Sequence, residues 1–84
     1  MRVSRYHRQR ALGQRLIDLR TTVGLSQRQV AARIGCNTTY VGDIERGLRH
    51  GLTRQELLDY LGAIGSEDVE LRRELVAMWQ EIRQ

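Results

Sequence analysis

Residues 24–47 read GLSQRQVAARIGCNTTYVGDIERG, and their spacing decides the fold. Ser26 with Gln29 three residues on is a capping box, in which the two side chains satisfy backbone amides that a helix start leaves orphaned. Val30, Ala31 and Ile34 give that helix an apolar face, and Gly35 ends it through the left-handed conformation that glycine adopts without steric penalty. Asn37 is a good N-cap for a second helix, with Val41 and Ile44 on its inner side and Gly47 as its stop. Ala31 is small enough to let the two helices approach closely, and Cys36 continues the apolar pattern across the turn. Each feature alone is common. Together, within about twenty residues, they specify two short helices meeting at a sharp angle.

The rest of the chain reads as helices as well. Upstream, Leu12, Leu16, Leu19 and Val23 step by four, three and four, which predicts a helix from Arg8 or Gln9 to Thr22 with Gly24 as its stop. Downstream, a loop at Leu48–Leu52 precedes a second capping box, Thr53 with Glu56, and a helix carrying Leu57, Leu58 and Leu61. Ser66 is the expected cap of a last helix that runs to Arg83. There is no proline and no long alternating run of β-branched residues, so the expectation is an all-α domain of five helices.

Eighty-four residues make one domain and no second core. A chain this short buries a modest share of its surface, and pairing with a second copy is a natural way to bury more. The single cysteine leaves no internal disulfide to form, and no run approaches the length of a membrane span or a signal peptide. The expected setting is cytoplasmic, with no membrane partner.

All fourteen basic residues are arginine, and they are unevenly spread. Residues 1–55 hold eleven arginines against three acids, +8, whereas residues 56–84 hold three against seven, −4. A basic front and an acidic rear suit a polyanionic partner, although an arginine-rich solvated surface accounts for the composition equally well.

The stretch 24–47 resembles the helix-turn-helix of the phage repressor and Cro-type (XRE-type) DNA-binding family. The similarity follows the pattern GLSQ, apolar, Ala, apolar, Gly, then apolar-Glu-x-Gly at Ile44-Glu45-Arg46-Gly47, and extends over about residues 9–65. It implies a compact five-helix lambda-repressor-like domain. Its second and third helices form the motif, and the third enters the major groove of double-stranded DNA to regulate transcription, with repression the expected sense. Residues 1–8 would then be a basic arm and 66–84 an appended amphipathic helix.

The resemblance also implies roles. Gln27, at the start of the second helix, corresponds to a phosphate-gripping position, which suits the positive end of a helix dipole, or is a simple first-turn residue. Arg28 beside it is a basic DNA-binding candidate flanking the motif. Thr38 and Thr39 correspond to base-reading positions. Asn37 has two readings, cap or DNA contact, and Tyr40 has two, phosphate contact or packing. Gly42 and Asp43 depart from the family pattern: glycine weakens a helix interior by about 0.5–1 kcal/mol. An acid facing phosphates either accepts from a cytosine amino group or points away. Arg46, Arg49 and Arg54 flank the motif as candidates for backbone contact, and Arg2, Arg5, Arg8 and Arg10 form either a DNA-following arm or a free tail. Arg20 and Glu45 match a structural ion pair between the first helix and the end of the third.

In the last helix Leu71, Leu75, Met78 and Ile82 form a coiled-coil-like seam, with Trp79 round to one side. The apolar arc is wider than an ordinary surface helix needs, so one part is expected to pack on the domain and another, including Trp79, on a second copy, with these five residues as the homodimer interface. The alternative is a capping helix used wholly within one chain. The competing reading is an antitoxin or adaptor that uses this helix to hold a protein partner. Enzyme chemistry finds no footing: His7 and His50 have no metal-spaced companions, Cys36 has no base beside it, and no cofactor or metal is called for.

Overall fold

Every helix opens on a side chain whose oxygen accepts a backbone N–H three residues on. A computed structural model describes residues 4–83. Ser4 caps α1 (Arg5–Thr22), Ser26 caps α2 (Gln27–Ile34), Asn37 caps α3 (Thr38–Glu45) and Thr53 caps α4 (Arg54–Ala63). Asp68 does the same for α5 (Val69–Arg83), accepting from the Leu71 amide at 3.1 Å. Both capping boxes expected from the sequence are formed, at Ser26/Gln29 and Thr53/Glu56. Gly35 ends α2 at φ 84°, the left-handed turn that aims α3 away from α2.

Two boundaries differ from expectation. The first helix begins at Arg5, because Ser4 caps it, so Arg5 and Arg8 are helical rather than part of an arm. Arg2 lies outside the described residues. The last helix begins at Val69, because the carboxylate of Asp68 caps it, while the Ser66 carbonyl instead accepts from Arg72 Nε at 2.7 Å.

The core draws on all five helices. Leu12 and Leu16 of α1, Val30 and Ala31 of α2, Val41 and Ile44 of α3, Leu57, Tyr60 and Leu61 of α4, and Leu75 and Ile82 of α5 are buried together with Ile64. Leu12 and Leu16 of the α1 stripe, the α2–α3 angle and Leu57 and Leu61 of α4 therefore converge as their spacing implies, whereas Val23, at the C-cap of α1, is exposed and Leu19 and Leu58 are only partly buried.

The seam assigned to a partner requires correction. Leu75 is fully buried within its own chain and Ile82 nearly so, because α5 lies along α1 and covers it. Leu71, Met78 and Trp79 are partly buried against the same core. Trp79 also donates its indole N–H to the Leu52 carbonyl at 2.6 Å, and Arg83 stacks on its ring at 5.1 Å. The wide arc of α5 is thus spent on two sides of one domain, the α1 stripe and the Leu48–Leu52 loop. Arg8 and Arg15 fasten the same junction by bonding to the Glu81 carbonyl and the Glu74 carboxylate.

Candidate nucleic-acid interface

The short helix α3 is held from behind by a carboxylate. Glu45 is 3% exposed, and both its oxygens are in use. Arg20 from α1 forks onto it, Nε to Oε2 at 2.7 Å and Nη2 to Oε1 at 2.9 Å, while Arg20 Nη1 donates to the Leu25 carbonyl. Gln27 Nε2 donates to Oε1 at 2.9 Å, and the buried Tyr60 hydroxyl donates to Oε2. One buried carboxylate therefore joins α1, α2, α3 and α4.

Burial alone would raise the Glu45 pKa, but the bonds from Arg20, Gln27 and Tyr60 outweigh it and hold the group below the ordinary carboxylate range. Burial and the Glu45 charge push the Tyr60 hydroxyl up, so it stays a donor. Neither Tyr60 nor the inward turn of Gln27 follows from the sequence pattern. Gln27 spends its amide nitrogen on the fold. Of the first-turn amides of α2, that of Gln29 is capped by Ser26 and that of Val30 bonds the Ser26 carbonyl, so those of Gln27 and Arg28 are the two without a partner among the described residues.

A second acidic node lies at the far edge of α3. Tyr40 donates its hydroxyl to Glu56 Oε2 at 2.7 Å, and Arg49 donates to the same oxygen through Nη2 at 2.6 Å while stacking on the Tyr40 ring at 4.9 Å. Of the two readings left for Tyr40, packing at the helix edge is the one the geometry matches. Burial together with Glu56 pushes the Tyr40 hydroxyl up to about 12. Burial opposes ionisation of Glu56, yet bonds from Tyr40, the Thr53 amide and Arg49 bring it down to about 2.

These shifts fix a pH dependence. A carboxylate whose pKa is depressed by folding stabilises the fold above its unfolded value and loses that contribution as pH falls through the folded value. With Glu56 at about 2, against 4.5 unfolded, the urea midpoint is expected to fall through that interval. Glu45 acts in the same direction. Glu56→Gln removes part of the fall, and an unchanged wild-type midpoint down to about pH 3 would contradict it.

The outer face of α3 is different in kind. Thr38 and Thr39 are exposed and make no side-chain hydrogen bond among the described residues. Asn37 spends its side-chain oxygen capping Tyr40 N at 2.8 Å. Asp43 is paired with Arg46 at 3.0 Å. Arg28 in the first turn of α2 and Arg54 at the start of α4 are exposed and form no ion pair among the described residues. Arg10 is exposed beside Tyr6, and Arg5 is exposed at the start of α1. The basic front is therefore only partly free, since Arg15, Arg20, Arg46 and Arg49 are each matched to a carboxylate.

Cys36 is half-buried at the α2–α3 turn, and burial pushes its thiol up, as suits a packing residue. No helix of the described residues is long and apolar enough to cross a membrane.

Residues 11–75 match the family described as Helix-turn-helix domain. Among solved structures, the chain is similar to the restriction-modification controller protein C.AhdI from Aeromonas hydrophila. The two share 38% identity with a TM-score of 0.71, over 83% of this chain and 94% of that one. No curated protein gives a match. A buried carboxylate fixing two short helices, an outer helix face left free and this likeness lead to one assignment: the chain belongs to the helix-turn-helix family of XRE-type, DNA-binding transcriptional regulators.

Proposed function

We propose that the protein binds double-stranded DNA sequence-specifically, with α3 in the major groove, and acts as a repressor in the control of restriction–modification genes. The observation that carries the DNA reading is the two-sided character of α3. Its inner residues are locked to three other helices, while Thr38 and Thr39 face outward with their hydroxyls and methyls uncommitted, groups that read base edges. The Gln27 and Arg28 amides in the first turn of α2, with the Arg28 and Arg54 side chains, supply the contacts to phosphate. The restriction–modification setting is supported by the likeness to C.AhdI across nearly all of that protein.

The adaptor reading loses its support, because Leu75 and Ile82 of the α5 seam are buried in the core and Leu71, Met78 and Trp79 pack partly against it. A homodimer remains part of the proposal with a shifted contact. Val69 is 64% exposed, and with Leu58, Val76 and Ala77 it lines a shallow groove between α4 and α5. A second copy on this face would repeat α3 by two-fold symmetry, for half-sites spaced about 34 Å apart.

The test is equilibrium binding to duplex DNA across salt concentrations. Removing one arginine from a phosphate is expected to flatten the plot of log affinity against log salt by about 0.9, so Arg28→Ala and Arg54→Ala should each shift it by about one. Slopes equal to wild type in both variants would refute the phosphate assignments. Sedimentation of the same samples should give the mass of two chains, and a one-chain mass at binding concentrations would refute the dimer.

A further inference from the structure

Gly42 and Asp43 are the residues of α3 that the DNA-binding reading leaves without a role. At 100° per residue, Thr39, Gly42, Asp43 and Arg46 share an arc of about 100° on the side away from Val41, Ile44 and Glu45. Gly42 lies on this outer side and is nonetheless buried. What covers it is Arg46: a Cβ at Gly42 would stand 3.0 Å from Arg46 Nη1 and 3.2 Å from Nη2. The guanidinium folds back along the helix over bare backbone, and Nη2 donates to Asp43 Oδ1 at 3.0 Å. The side chains of Arg46 and Asp43 are 58% and 38% exposed, so the pair stands at the surface of the face that carries Thr39.

We propose that Arg46 is the guanine-reading residue of α3, oriented by Asp43 and given its resting place by Gly42. This rests on the reading of α3 as the major-groove helix. Arginine carries five donors in a rigid fork, so the one bond to Asp43 leaves the other N–H groups of a half-exposed guanidinium uncommitted. Guanine presents two acceptors, O6 and N7, at the spacing of that pair, whereas adenine places an amino donor where O6 would be. Holding the fork in place beforehand reduces the side-chain freedom lost on binding. The arrangement also accounts for an acid on a helix that faces phosphates, since the Asp43 charge is matched before DNA arrives. Gly42 completes the unit, because even a methyl group there would stand 3.0 Å from Arg46 Nη1 and press the guanidinium off its resting position.

The experiment is selection of bound duplexes from a random-sequence library by the full chain and four variants, with helicity recorded for each. Wild type is expected to enrich one guanine in each half-site, with discrimination of about tenfold or more against other bases. Arg46→Ala should abolish the preference at that position and leave the others. Arg46→Lys should lose it too while keeping the salt slope, because the charge stays and the fork goes. Asp43→Asn should weaken the same position without lowering affinity for random DNA. Gly42→Ala should weaken it in a helix of equal or greater stability, which separates reading from folding. A guanine retained in Arg46→Ala, with affinity lowered equally for all sequences, would make Arg46 a phosphate contact and overturn the proposal. A wild-type consensus lacking guanine overturns it as well. Failure of wild type to select any sequence overturns the major-groove reading itself.

Discussion

Glu45→Ala is expected to lower the unfolding free energy by about 3–5 kcal/mol, the usual cost of stranding one member of a buried ion pair. The variant leaves Arg20, whose side chain is 12% exposed, without its carboxylate, and leaves Gln27 and Tyr60 without an acceptor. A domain of this size has about 4–13 kcal/mol in total, so the loss would take a large part of it. In thermal unfolding the midpoint should drop by on the order of 15 °C or more. Glu45→Gln keeps an acceptor and should lose less, which separates loss of charge from loss of the hydrogen-bonded node. A fall of less than about 1 kcal/mol in Glu45→Ala would mean that the node does not hold the helices together.

Gly13→Ala is the second large effect, and its cause is steric. Gly13 lies buried where α1 crosses the end of α3, and a Cβ there would stand 2.7 Å from the Glu45 carbonyl carbon and closer still to its oxygen. The obstacle is backbone at the end of a helix, so it cannot rotate aside. Alanine normally stabilises a helix relative to glycine by about 1 kcal/mol. Here the sign should reverse, with a loss of about 1–3 kcal/mol typical of overpacking and a shift of α1 away from α3. Because Glu45 is the residue met, the variant should also loosen the Arg20–Glu45 fork. Chemical denaturation gives the sign directly, and a variant more stable than wild type would show that the two helices separate freely.

Much of the architecture was legible because it rests on local chemistry. Capping boxes at Ser26 and Thr53, the glycine turn at Gly35 and the leucine stripe of α1 each act within a few residues, and the protein forms them where their spacing implies. The Arg20–Glu45 pair is legible through family resemblance, yet its companions are not. Tyr60 and Gln27 lie fifteen and eighteen residues from Glu45, and nothing in their neighbourhoods announces an inward polar partner. Gly13 carries a faint signal: a glycine in the buried stripe of a long helix, weakening it without evident cause, marks a close approach. The width of the α5 arc does mean that two sides are covered, but one side goes to α1 and the other to the Leu52 carbonyl through Trp79. Periodicity gives the extent of an apolar face and is silent about what covers it. The same holds for Asp43, whose repulsion toward DNA is offset by Arg46 folded onto it, a pairing that spacing alone does not announce.

Whether the outer face of α3 reads DNA is tested most directly by a ratio of affinities, for a selected duplex over a random one. Wild type is compared with the double variant Thr38→Ala, Thr39→Ala. Both threonines are exposed and unbonded, so the double variant should fold as wild type does. Removing a base-reading side chain should cost about 1–3 kcal/mol on the selected duplex and little on the random one, collapsing the ratio by tenfold or more. An unchanged ratio in a folded double variant would contradict a reading role for this face.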